Sequence, residues 1–238
     1  MVKRLEVHPI NPQHRLIAQA AQALAEGKLI AYPTDSSYAL GCAMGDKGAL
    51  DRIRQIRATS MDHEFTLICS DLSAIATYAR VDNSAYRLLK SLTPGPYTFI
   101  LRATSEAPRR LQDPKRKSIG IRVPDNRICQ ALLSEVGEPI FSSTLTLPGD
   151  EIPLTEPDEI EQRLGKQIEA NCPVREPQTR GGPPTASESR ASLRRQRRSP
   201  SHAIFSWRVL REGGYTFSTS ARRWGSTFSA WRSGREFA

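Results

Sequence analysis

The chemically capable residues of this sequence are hydroxyls and guanidinium groups. Thr34, Ser36 and Ser37 follow a short apolar run, Thr98 follows a Pro-Gly-Pro turn, and Ser142, Ser143, Thr144 and Thr146 form a second hydroxyl-rich stretch. Arg54 and Arg57 close a helical pattern, and Arg122 stands late in the apolar run IGIRV. Arginine meets carboxylates and phosphates with paired hydrogen bonds, and hydroxyls complete the remaining lone pairs. Such a set holds and orients an anionic substrate rather than attacking it. Each member also has a plainer reading. Two arginines three apart on a helix commonly form a solvated face, and serines at a strand end often serve the turn. A guanidinium inside an apolar strand, however, needs a partner. Asp35 either orients a neighbouring donor or completes an Asx-turn, and the sequence leaves both open.

Other chemistries lack their residues. There is no GxSxG, HExxH or paired-carboxylate motif, and no GxxxxGK[ST] or GxGxxG loop. Cys42, Cys69, Cys129 and Cys172 form no CxxC pair and the four histidines are scattered, so neither a metal site nor a disulfide framework is expected. No apolar run approaches the roughly 18 residues that span a bilayer, and the N-terminus lacks the apolar segment of a signal peptide. A cytoplasmic protein without membrane contact is expected.

The elements that must position these residues follow from periodicity. Helices are predicted at Asn11 to Glu26, Lys47 to Arg57, Leu72 to Tyr78, Asn83 to Leu92, Asn126 to Val136 and Pro157 to Ile168. Strands are predicted at Leu29 to Tyr32, Thr66 to Cys69, Tyr97 to Leu101, Ile119 to Val123 and Pro139 to Ser143. PTDSSYALGC, from Pro33, reads as a polar, turn-forming segment at a strand end, the place where α/β proteins hold ligands. Strands interleaved with helices predict one α/β domain over residues 1–170.

Charge divides the chain at the same place. Residues 1–170 carry 21 basic and 21 acidic side chains, so the whole net charge of +9 belongs to residues 171–238. That tail holds 13 Arg, no Lys, 4 Glu, no Asp, 11 Ser and all three Trp. It reads as a disordered nucleic-acid arm, as the product of an out-of-frame reading, or as a small separate domain. In the neutral half the one basic cluster is Arg109, Arg110, Lys115, Arg116 and Lys117, either a solvated loop or an RNA-phosphate surface.

Four motifs in order carry a resemblance. LIAYPTDSSYALGC resembles the PTxTxYGL signature of the YrdC-like threonylcarbamoyl-AMP synthase family, TPGPYTFIL its PGPxT element, IGIRVPDN its VRxPxH element and PIFSSTLTLPG its SxSANxSG element. The HPINPQHRLI start, HEFTLIC and KRKSIGIRVP are similar to its YciO branch. The resemblance spans about residues 5 to 169. It implies a twisted mixed sheet with flanking helices and a basic cavity, followed here by an irregular tail. It also implies a reaction joining L-threonine, bicarbonate and ATP, with Mg²⁺, to give threonylcarbamoyl-AMP and pyrophosphate for adenosine 37 of tRNA. Double-stranded RNA or tRNA is the implied macromolecular partner, and a noncatalytic RNA-binding role is the alternative.

Carried over motif by motif, Thr34, Ser36 and Thr144 are expected at threonine. Arg57, with Arg54 as the alternative register, Arg122 and Thr146 are expected at ATP. No catalytic nucleophile is implied. Departures accompany the match: the Lys of KxR is Gln55, the His of VRxPxH is Asn126, the Asn of SAN is Thr146 and the following Ser is Pro148. The family's STxVD-like strand and RxG-like turn are not recognisable after Ala170. An out-of-frame tail would remove one wall of the site and two strands, leaving a marginally stable chain.

Overall fold

In the computed structural model the described residues are 2–58, 65–109, 112 and 117–175, together with the strands Phe205–Val209 and Tyr215–Thr219. In chain order the elements are β1 (Lys3–Arg4), α1 (His14–Ala25), β2 (Ile30–Pro33), β3 (Tyr38–Ala43), α2 (Lys47–Arg57) and β4 (Thr66–Ile68). Next come α3 (Leu72–Tyr78), α4 (Asn83–Leu92), β5 (Phe99–Arg102), β6 (Ser118–Arg122), α5 (Arg127–Val136) and β7 (Ile140–Thr144). Then follow α6 (Pro157–Leu164), β8 (Ala170–Asn171), β9 (Phe205–Val209) and β10 (Tyr215–Thr219).

Eight strands form one mixed sheet in the order β1-β8-β2-β3-β7-β4-β6-β5. β8 lies parallel to both of its neighbours, and β4 is parallel to β6. The other pairs are antiparallel. Side chains alternate across a strand, and the sheet accordingly buries two apolar layers. Leu40, Leu67, Ile121 and Phe141 pack with Leu50 and Ile53 of α2 and with residues of α3, α4 and α6. On the opposite face Ile30, Tyr32, Ile68 and Ile140 pack with Ile17 and Leu24 of α1 and Ile128 and Leu132 of α5.

Four of the six helices start where a side-chain oxygen caps them. Asp46, Asp71, Asp82 and Asn126 accept from the backbone N–H of Ala49, Ala74, Ala85 and Cys129 at 2.9, 2.9, 2.7 and 3.0 Å. The helix predicted over Asn11 to Glu26 is shorter, because Gln13 occupies the N-cap and Gly27 adopts φ +70 just past the end. The helix predicted to Ile168 stops at Leu164.

One expectation is corrected. PTDSSYALGC is not a loop throughout: only Thr34–Ser37 form the turn, and Tyr38–Ala43 is a central strand pairing with β2 and β7. YALGCA is apolar or small at every position and buried along almost its whole length, so it lacks the polar alternation that marks a half-exposed strand. β1 and β8, two residues each, are too short for a periodicity to register. Sheet pairing continues beyond the sequence-based boundary at 170, since Val7 bridges Val174 and the Arg175 N–H donates to the Val7 carbonyl at 2.8 Å. Within the tail, β9 and β10 form an antiparallel hairpin in which Trp207 stands opposite Phe217 and Val209 opposite Tyr215.

Candidate functional site

The turn between β2 and β3 is built by Thr34. Its Oγ1 accepts from the N–H groups of Ser36 and Ser37, both at 3.2 Å, and donates to the Ser37 carbonyl at 2.7 Å. The hydroxyl predicted to hold substrate thus shapes the loop that presents Asp35 and Ser36. Arg122, at the end of β6, donates through Nη2 to Asp35 Oδ1 and to Ser36 Oγ, the latter at 3.0 Å. The second oxygen of Asp35 accepts from the Asp125 N–H at 3.2 Å. Arg122 and Asp35 are only 12% and 11% exposed, so the partner an intrastrand arginine requires is Asp35. Of the two roles open to Asp35, the structure supports orientation of a donor.

A second group forms at the end of α2. Arg57 donates through Nη1 to Ser143 Oγ and through Nε to the Thr146 carbonyl at 3.3 Å. Burial lowers its pKa from the ordinary arginine value. Arg54 goes elsewhere: its Nη1 pairs with Asp51 at 2.8 Å and its guanidinium lies 5.3 Å from the centre of the Phe65 ring. Gln55, between them, is exposed.

β7 serves both faces of the sheet. Ser143 meets Arg57 on the α2 side, while Ser142, one residue earlier, accepts from the buried Tyr32 hydroxyl at 2.8 Å on the other. Burial pushes the Tyr32 pKa upward, which keeps the phenol protonated as that donor. Gly41 opposes Ser142 in register, and a Cβ there would come within 2.7 Å of Tyr32 Cε1, so only glycine fits beside the ring. The row continues across the sheet, from Ser142 to Thr66 and from Thr66 to Gly120. A Cβ on Gly120 would meet Thr66 Oγ1 and Thr98 Cγ2 at 3.6 Å each. Two glycines and three hydroxyl residues therefore make a shallow polar strip. Thr144, half-buried, lies two residues beyond Ser142 on the same face, and Arg122 shares that face because it opposes Ile68. Thr146 is half-buried past the strand end, its N–H donating to the Thr144 carbonyl at 2.9 Å.

Thr34, Ser36 and Arg122 are thus brought together, and Arg57 joins the Thr146 backbone. Arg54 joins neither group through its described bonds. The partner of Asp35 and the contacts of Tyr32 and Thr66 have no local signature in the sequence, because only strand register reveals them. Asn126, standing for the family's histidine, is spent on capping α5. Arg109 and Lys117 are exposed, whereas Arg110, Lys115 and Arg116 lie outside the described residues. Arg109 and Lys47 line a cleft of about 340 Å³ floored by Leu50 and Phe141. Among the described residues no group of three or more His, Cys, Asp or Glu could hold a metal ion, and no helix is long and apolar enough to cross a membrane. All four cysteines are buried and free, their thiols pushed up to about 12 by burial.

The family model described as "Telomere recombination", Sua5/YciO/YrdC, matches residues 22–182. The chain belongs to this family. An uncharacterised Haemophilus influenzae protein is 59% identical over 164 residues, covering 68% of this chain and 79% of the relative. Escherichia coli YciO, also uncharacterised, is 55% identical over 163 residues with the same coverage. A threonylcarbamoyl-AMP synthase of Vibrio vulnificus is 31% identical over 155 residues, covering 64% and 82%. The crystal structure of E. coli YciO superposes with a TM-score of 0.74 at 43% identity over 92% of this chain and 95% of that one. A Sua5 from P. abyssi, solved in complex with L-threonine, shares the fold at a TM-score of 0.70 and 21% identity, over 91% of this chain and 56% of that one.

Proposed function

We propose that this Sua5/YciO/YrdC protein is an L-threonylcarbamoyladenylate synthase. In that reaction the threonine nitrogen takes up the bicarbonate carbon with loss of water. An oxygen of the resulting carbamate then attacks the α-phosphorus of ATP, and the bond to pyrophosphate breaks. The product would serve the threonylcarbamoyl modification of adenosine 37 in tRNA. The carrying observation is that Arg57 and Arg122 are each anchored to residues of the motifs that bear the family resemblance, Arg57 to Ser143 and Thr146, Arg122 to Asp35 and Ser36. Two anionic substrates that must meet in one orientation need fixed cationic clamps more than a nucleophile.

In this reading Ser36 and Thr144 hold threonine, Thr34 shapes the turn that presents Ser36, and Arg57 meets the ATP phosphates beside Thr146. Mg²⁺ would arrive on the phosphates of ATP, a mode that asks the protein for only one or two carboxylates. Purified protein should release pyrophosphate only when threonine, bicarbonate and ATP are all present, and Arg57→Ala should reduce that release at least about a hundredfold. No release at any enzyme concentration would sink the proposal.

An RNA-binding role has one observation in its favour, the convergence of Lys47 and Arg109 on one cleft, which Asp46 also lines. It predicts RNA affinity that falls steeply with salt and with neutralisation of Lys115, Arg116 and Lys117.

A further inference from the structure

The carbonyl that receives Arg57 Nε belongs to Thr146, which lies past the end of β7 in the loop leading to α6. A loop carbonyl fixes a guanidinium only as firmly as the loop itself is fixed. Immediately after it comes a tight turn, Leu147-Pro148-Gly149-Asp150, closed by the Asp150 N–H donating to the Leu147 carbonyl at 3.0 Å. Proline at the second position of such a turn presets φ, and Gly149 at the third takes the left-handed conformation, φ +87, without strain. Pro148 is one of the departures from the family motif, which has serine there, and in this chain it serves the turn.

The turn is tied in its own right to a helix. Arg163 of α6 donates through Nη2 to Asp150 Oδ1 at 3.1 Å, and its Nη1 stands 2.9 Å from Asp150 Oδ2, a fork that fixes the carboxylate in direction as well as distance. Glu159, one helical turn earlier, accepts from the same Nη1 at 3.1 Å. α6 is a firm support: Ile160 and Leu164 are buried in one core with Leu147 and Leu154 of the loop, and Asn171 of β8 donates to Pro157 and Glu161. A connected path therefore runs from the sheet through α6, Arg163 and Asp150 to the turn beside Thr146, and from the Thr146 carbonyl to Arg57. The side chains of Arg163 and Asp150 are 32% and 23% exposed, and an ion pair open to water contributes modestly to global stability. What this pair secures is the place of the turn.

We infer that Asp150 and Arg163 are positioning residues: by fixing the Leu147–Asp150 turn to α6 they hold the Thr146 carbonyl where it aims Arg57 at the nucleotide. The inference rests on the placement of Arg57 at the ATP phosphates in the proposed synthase.

Calorimetry on the full chain, with ATP and L-threonine as separate titrants, tests it. Asp150→Ala and Arg163→Ala should each weaken ATP binding about tenfold while leaving threonine affinity unchanged, and Asp150→Asn, which keeps one acceptor for Arg163, should recover part of the loss. In an Arg57→Ala background, Asp150→Ala should add nothing, because no guanidinium remains to be aimed. Losses that simply add in that cycle, or that fall on ATP and threonine alike, would reveal a general loosening and overturn the inference. Where Arg163→Ala fails to fold, Gly149→Ala reaches the same turn by another route: it strains the backbone at φ +87 yet meets no atom within 4 Å. It should reproduce the selective loss of ATP affinity, and unchanged ATP binding in it would count against the inference. A wild type that binds no ATP, or an Arg57→Ala variant that binds it as tightly as the wild type, would overturn the placement of Arg57 and this inference together. A loss with Arg57→Ala but none with Asp150→Ala would overturn this inference alone.

Discussion

Gly41 and Tyr32 illustrate how a small residue in a strand supports a polar contact elsewhere. The Tyr32 ring lies across Gly41 and its hydroxyl reaches Ser142, so the pair holds β2, β3 and β7 in register beside the site. Gly41→Ala should destabilise the protein by about 1–3 kcal/mol through overpacking, measured by urea denaturation. Adding Tyr32→Leu should cost less than the sum of the two single changes, because the clash disappears with the ring. Strict additivity would show that the methyl group is accommodated in some other way. At this scale the motifs named Thr34, Ser36, Arg57 and Arg122, and the structure brings Arg122 to Ser36 and Arg57 to the Thr146 backbone. The sequence did not disclose that Thr34 spends its hydroxyl on its own turn, or that Asp35 pairs with Arg122 across 87 positions and Arg57 with Ser143 across 86. Such pairings are properties of sheet register, which no local spacing encodes.

Among the elements, those with a local chemical signal were legible and those defined by tertiary context were not. The bounds of α2, α3 and α4 match the periodic pattern because an aspartate caps each start and the apolar stripe ends where the helix does. β3 was hidden because a strand buried on both faces shows no alternation. The same capping logic accounts for a departure from the family motif. Asn126 occupies the histidine position of VRxPxH, and its side-chain oxygen satisfies the Cys129 N–H at the start of α5. Asn126→His should therefore cost about 0.5–2 kcal/mol of stability. Thermal melts of the variant beside Asn126→Asp, which retains the cap, would check this, and an equally stable histidine variant would contradict the capping account.

Across the whole molecule, the sheet is closed by the two ends of the domain. β8 sits between β1 and β2, the N–H groups of Lys3, Leu5 and Val7 donate to Glu169, Asn171 and Pro173 at 2.8 to 2.9 Å, and Asn171 ties β8 to α6 through Pro157 and Glu161. A chain ending at residue 175 retains all of these contacts. One ending at 169 loses β8, strips β1 from the sheet and uncovers the β2 edge. The shorter chain should melt at a lower temperature and bind an apolar dye, while the longer one should unfold cooperatively; identical melts would show that β8 contributes nothing. The composition break near residue 170 thus marks where charge changes, but backbone pairing runs a few residues further, to Arg175. The net charge of +9 still belongs to the tail, so any anion affinity of the domain comes from placed guanidinium groups and not from a general positive field.

The position of β8 also sets a timetable for synthesis. β2 leaves the ribosome long before its parallel neighbour has been made, and at roughly 5–20 residues per second the interval is on the order of ten seconds. Throughout that interval the nascent β2 offers an unpaired row of backbone donors and acceptors, to be filled only when Ala170 and Asn171 emerge.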